Sequence, residues 1–107
     1  MYMNKVELVG FAGMDPEVKV VGKASKLASF SLATSESYKR NEEWVKTTHW
    51  HKLIGWNKFA DQIHDLVKKG KKLSVVGKLT YRTYEDKNGV RRRDTEIIIT
   101  ELTEAVK

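Results

Sequence analysis

The chain has 107 residues, with 20 Lys and Arg against 14 Asp and Glu, a formal net charge of +6 and no cysteine. That length suits one domain with a real core, and domains this small often gain further burial by associating. Without cysteine there is no disulfide framework, thiolate nucleophile or cysteine zinc site, and the basic balance favours a polyanion or an anionic surface as partner.

No run approaches the roughly 18 apolar residues of a membrane span, and the opening MYMNKVELVG has no signal-peptide core. A cytoplasmic protein with a single domain over residues 1–107 is expected. Residues 4–11, NKVELVGF, alternate with Val6 and Leu8 on one face and read as a strand. Asp15 and Pro16 then signal a turn. Residues 27–34, LASFSLAT, alternate again with Ala28, Phe30 and Leu32 on one face. The charged segment SESYKRNEEW that follows, with Tyr38 between Ser37 and Lys39, reads as a hairpin loop.

The next strand, from about Trp44 to Trp56, places Thr48, Trp50, Lys52, Ile54 and Trp56 on one side and His49, His51, Leu53 and Gly55 on the other. The period then changes. In NKFADQIHDLVKKG, Phe59, Ile63, Leu66 and Val67 fall on one helical stripe, with Asn57 as N-cap, Gly70 as stop and Lys68 and Lys69 at the negative end. KKLSVVGKLTYRTYE alternates most cleanly, with Leu73, Val75, Leu79 and Tyr81 on one face and Lys72, Ser74, Lys78, Thr80, Arg82 and Tyr84 on the other. DKNG at 86–89 marks a hairpin turn, and RRRDTEIIITEL returns as a strand whose three isoleucines suggest burial on both sides. Arg91, Arg92 and Arg93 read first as a solvated loop flank. Five strands with one short helix between the third and fourth predict an all-β, five-stranded Greek-key OB-fold barrel.

Taken singly, Trp50 and Trp56 read as packing residues. Taken with their neighbours they do not, because a core face would not tolerate Lys52 beside the tryptophans, or Arg82 and Lys78 beside Tyr84, as unpaired charges. Aromatics interleaved with cations on an exposed sheet give bases a surface to stack on and phosphates a neutralising partner. A competing reading uses His49 and His51 as metal ligands of a hydrolase with Asp61 or Asp94 as the third. His-x-His alone is a weak signal, and no carboxylate has a spacing that commits it.

The stretches NKVELVGFAGMDPEVK, FSLATSESYK, TTHWHKLIGWNKFAD, LVKKGKKLSVVGKL and YRTYEDKNGVRR resemble the bacterial single-stranded DNA-binding proteins, in order and with nearly ungapped spacing. The resemblance implies an OB-fold that assembles, as a tetramer ahead of a dimer, and wraps single-stranded DNA in replication, recombination and repair. It implies no catalysis, cofactor, metal or small-molecule substrate. Its stacking positions fall at Tyr38, Trp50, Trp56 and Tyr84, with phosphate contacts at Lys5, Lys39, Lys52, Lys58, Lys69, Lys72 and Arg82. His51 matches a subunit-contact position. Glu7 and Phe11 depart from the family's usual apolar and small polar residues, so Glu7 would alter the assembly or form an intersubunit salt bridge. Family members commonly continue into a flexible linker and an acidic tip that recruits partners; the chain stops at ELTEAVK, and the acidic tail is expected to be absent. Rival OB modules are a tail-less primosome accessory protein and an RNA chaperone of the cold-shock kind.

Overall fold

Which side of each strand meets the core is decided by the alternation of apolar residues, and most of the architecture follows from it. The computed structural model describes residues 1–105; the last two residues of the expected 1–107 domain lie outside the described residues. The strands are β1 (Val6–Ala12), β2 (Glu17–Val21), β3 (Ser25–Arg40), β4 (Glu43–Trp56), β5 (Lys72–Glu85) and β6 (Arg91–Glu104), with helix α1 (Lys58–Leu66) between β4 and β5. Strand β1 pairs with β5, β5 with β6, β6 with β4, β4 with β3, and β3 with β1, so five strands close into a barrel. This is the expected fold, with the helix between the third and fourth strands of the ring.

Two of the five junctions are short. Strand β1 meets β3 through Phe11↔Ala33 and Ala12↔Leu32, and β4 meets β6 in parallel through Leu53↔Ile97 and Ile54↔Ile98. The core is filled by Ala28, Phe30 and Leu32 of β3, Leu53 of β4, Leu73 and Val75 of β5, and Ile97, Ile99 and Leu102 of β6. Of the three isoleucines, Ile97 and Ile99 are buried, whereas Ile98 is only half-buried on the outer side.

Helix α1 sits against the barrel through Ala60 and Ile63, and Val67, just past its end, is buried too. A side chain at Gly55 would collide with Phe59 and Ile63, so the glycine allows the helix this close. Asn57 stands at the N-cap position but makes no capping bond. Its amide oxygen accepts the Lys26 N–H at 3.2 Å and its own N–H donates to the Lys26 carbonyl at 2.9 Å, so it ties the helix start to β3 instead. The helix ends at Leu66, a turn before the expected stop, because Val67 is extended (φ −85°, ψ 125°). Gly70, at φ 84°, carries the turn into β5, and its N–H donates to Ala12. Lys68 and Lys69 therefore lie beyond the last helical residue.

Strand β2 is the element that periodicity does not reveal: all five of its residues are exposed, so no apolar face marks it. It pairs with Ser25–Ser29 on the edge of β3 that β1 takes over further along. The expected loop around Tyr38 is likewise a strand. Residues 33–40 and 43–50 pair without interruption as a β-ribbon, and its turn consists of Asn41 and Glu42, both with positive φ (50° and 67°). The DKNG turn forms as expected. The Asp86 carboxylate accepts N–H bonds from Arg92 Nε, Asn88 and Val90, each at 2.9 Å, and the Arg92 guanidinium and these amides hold it below the usual carboxylate range.

Candidate nucleic-acid interface

Strand β4 supplies most of the site because its even-numbered side chains point out of the barrel. Trp44, Lys46, Thr48, Trp50, Lys52, Ile54 and Trp56 share that face, and it carries all three tryptophans of the chain. Trp50 is 61% exposed. Its ring lies over Gly13, where a Cβ would run into it, so the glycine fixes the height at which the ring rests on the barrel. Trp56 is half-exposed and stands opposite Leu27 of β3.

The outer faces of β2 to β6 enclose a depression of about 190 Å³ whose walls include Trp56, Lys52, Arg82, Glu96, Lys19 and Glu17. Arg82 continues toward Tyr84, its guanidinium carbon 5.2 Å from the ring centroid. Trp56, Lys52, Arg82 and Tyr84, four of the residues expected at the site, are thus brought together on one surface. Trp50 stands two residues from Lys52 on the same face.

Glu96 is the member of this surface that sequence reasoning missed. Its side chain is 7% exposed and lies 3.0 Å from Lys52 Nζ and 3.6 Å from Arg82 Nε, while Asp94 adds a 3.6 Å contact to Arg82. The two central cations are therefore paired within the chain. A ligand phosphate must share them with a carboxylate.

Other expected residues lie apart from this surface. Lys5 pairs with Glu7 at 3.0 Å, which raises its pKa and occupies the Glu7 carboxylate within the chain. Lys58 stands over the Phe59 ring at 5.1 Å, beside Gln62 and Thr100 in a separate depression. Lys69 is exposed, and its backbone N–H donates to Asp15. Lys72 lies 6.0 Å from the Phe11 ring on the outer side of β1. Tyr38 pairs with Val45, on the opposite face of the ribbon from the tryptophans, whereas Lys39 pairs with Trp44 on their face. The Arg93 guanidinium stacks on Tyr81 at 4.1 Å and Arg92 is held by Asp86, so neither is a free loop flank.

The histidines have local partners. His51 Nε2 lies 2.8 Å from Thr34 Oγ1, and burial, with His49 nearby, pushes its imidazole pKa down. His49 Nε2 lies 2.9 Å from Glu36. Asp61 pairs with Lys26 and Asp94 with Arg82, and among the described residues no three His, Cys, Asp or Glu side chains gather around a common point. The ligand set of the hydrolase reading does not assemble. Nor is any helix among the described residues long and apolar enough to cross a membrane.

The sequence model of the single-strand binding protein family matches residues 3–104. The chain belongs to that family. Within it, the chain is 35% identical over 102 residues to the single-stranded DNA-binding protein of Bacteroides thetaiotaomicron, covering 92% of this chain and 63% of the relative. It is also 35% identical over 103 residues to that of Neisseria meningitidis serogroup A, covering 95% and 59%. The chain thus spans about three-fifths of the length of these relatives. A solved structure described as the Plasmodium falciparum SSB complex with ssDNA superposes with a TM-score of 0.89 at 30% identity, covering 99% of this chain and 97% of that one.

Proposed function

We propose that this protein binds single-stranded DNA with little sequence preference, by stacking bases on exposed aromatics and neutralising phosphates with the adjacent cations, and that it does no covalent chemistry. The observation that carries this reading is the outer face of β4, where Trp50, Lys52 and Trp56 follow one another beside Arg82 and Tyr84. Stacking contributes on the order of 1–3 kcal/mol per base, and duplex DNA keeps its base faces within its own stack. In this reading Lys52 and Arg82 are the central phosphate contacts. Lys39 and Lys72 extend the basic track, Lys5, Lys58 and Lys69 lie outside it, and Tyr38 serves a strand that has passed round the ribbon.

The family's membership in replication, recombination and repair and a cytoplasmic, nucleoid-associated location belong to the same proposal, as does assembly into a homo-oligomer, tetramer ahead of dimer. Val9 and Phe11, exposed on β1, support association. His51 would back such a contact through Thr34, and Glu7, bonded to Lys5, would sit at its margin.

Titration with poly(dT) at several salt concentrations, followed by tryptophan fluorescence, tests the proposal. Quenching is expected, with log K falling by about 0.7 per contacted phosphate for each unit of log salt; about five contacts would give a loss near a hundredfold between 50 and 200 mM. Equal affinity for a matched duplex would rule the mechanism out.

Glu96 leads to a separate expectation. A phosphate approaching Lys52 and Arg82 competes with this carboxylate, so Glu96→Gln should tighten poly(dT) binding several-fold, about 1 kcal/mol, and steepen its salt dependence. Isothermal titration at two salt concentrations measures both. Weaker binding would mean that the carboxylate acts only to hold the two cations in place.

A further inference from the structure

Glu96 is a charge that the barrel could do without. Its side chain is 7% exposed, yet the Lys52 and Arg82 side chains that pair with it are 45% and 56% exposed, so water solvates both cations without its help. A carboxylate is costly to bury and gains little from partners that are already hydrated. Packing gives no reason for it, but its setting gives a chemical one. Both cation contacts end on Oε2, at 3.0 Å and 3.6 Å, which leaves Oε1 as the oxygen to accept a bond from within the depression of about 190 Å³.

The rest of that depression suits a flat, neutral ring. Trp56 forms one wall, Leu27 and Ile54 add apolar surface, and Ser29 supplies a hydroxyl. The volume lies well below the roughly 300 Å³ at which pockets for larger ligands begin, so it takes one base rather than two. A phosphate belongs at the rim, because Glu96 and Glu17 both line the interior and would repel it. A base edge offers donors and acceptors at once and can use the carboxylate and the cations together.

We propose that this depression is a base-selecting subsite that prefers cytosine, with Glu96 as the residue that sets the preference. The cytosine N4 amino group donates to Glu96 Oε1, Lys52 and Arg82 donate to N3 and O2, and the ring stacks on Trp56. Lys52 and Arg82 each carry several N–H donors, so they can hold a phosphate at the rim as well. Acidic side chains read cytosine in duplex grooves by the same contact, a carboxylate accepting from N4. Thymine fits worse, because the one N–H on its edge lies between two carbonyls and would have to meet Oε2, which the cations already hold. Adenine and guanine each bring a single acceptor on that edge to the two cations. The inference rests on the single-strand reading above and adds one selective position to a strand otherwise bound with little preference.

The test uses fluorescently labelled dT oligomers of about 16 nucleotides, the upper end of what an OB-fold occludes, with one central position replaced by dC or by dU. Anisotropy is expected to show the dC oligomer binding at least about 5-fold tighter than the other two, the lower end of a base-edge contact, with dU and dT equal. A central N4,N4-dimethylcytosine, which keeps the acceptors and loses the N–H donors, should bind no better than dU. In Glu96→Ala the dC advantage should vanish, while the all-dT oligomer binds at least as tightly as before because its phosphates no longer compete with a carboxylate. Equal binding of dC and dU by the unmodified protein overturns the inference and leaves the function standing. An advantage that survives either N4 dimethylation or Glu96→Ala also overturns it, placing the preference elsewhere. If the unmodified protein binds none of the oligomers, the functional reading itself is wrong.

Discussion

Alanine at both Trp50 and Trp56 is expected to lower poly(dT) affinity by about 2–6 kcal/mol, the sum of two stacked bases. The residues are six apart on one strand, about 20 Å, so their effects should add. In binding constants the loss runs from about 30-fold to more than 10⁴-fold. It should appear almost wholly in the part of the affinity that survives high salt, because no cation is removed. The double variant keeps Lys52, Arg82 and Glu96, and its salt slope should match that of the unmodified protein. Anisotropy of labelled dT oligomers measures this, with the double phenylalanine variant as a control that keeps flat rings. Affinity held within twofold by the alanine variant would mean that the rings do not stack on bases.

The second large effect is on stability. Phe30 is 1% exposed at the centre of the barrel, among Leu32, Leu53 and Ile99 in the same core. Phe30→Ala is expected to destabilise by about 3–5 kcal/mol, from lost transfer energy and the cavity left behind. Against the 5–15 kcal/mol typical of a domain, that takes a large share of the total. Urea unfolding should show a lower midpoint with an unchanged slope. Saturating poly(dT) should raise the midpoint again by mass action, since ligand favours the folded state. A midpoint unchanged by the substitution would contradict the packing described.

The same physics explains what was legible in the sequence. Phe30 and Leu32 alternate over a buried face, and DKNG carries both the aspartate that caps the turn and the glycine at φ 77°, so each declares its structure locally. Strand β2 has no buried face and left no trace. The turn at Asn41 and Glu42 hid the ribbon because glutamate at positive φ is not a turn residue one looks for, and the charges around Tyr38 resembled a loop. Trp44 could be counted at the head of its strand, but its relation to Lys39 and Lys46 depends on the register of the ribbon. Glu96 was harder still. It lies just before three successive isoleucines in a strand read as buried on both sides, and only the parallel junction of β4 with β6 brings it to Lys52. Family likeness placed cations at Lys5 and Lys58, yet it could not foresee that Glu7 engages one and the Phe59 ring lies under the other.

The ring of strands is closed by two narrow seams, and each lies beneath a residue assigned to ligand binding. Trp50 stands opposite Ala33 and covers Gly13 where β1 joins β3, and the Lys52–Glu96 bridge straddles the join between β4 and β6. A nucleotide pressed onto one and a phosphate drawn to the other would cinch the cylinder at its two weakest stitches. Cargo would then act as a girdle, so that the backbone amides at these joins exchange with solvent more slowly when the protein is loaded than when it is empty.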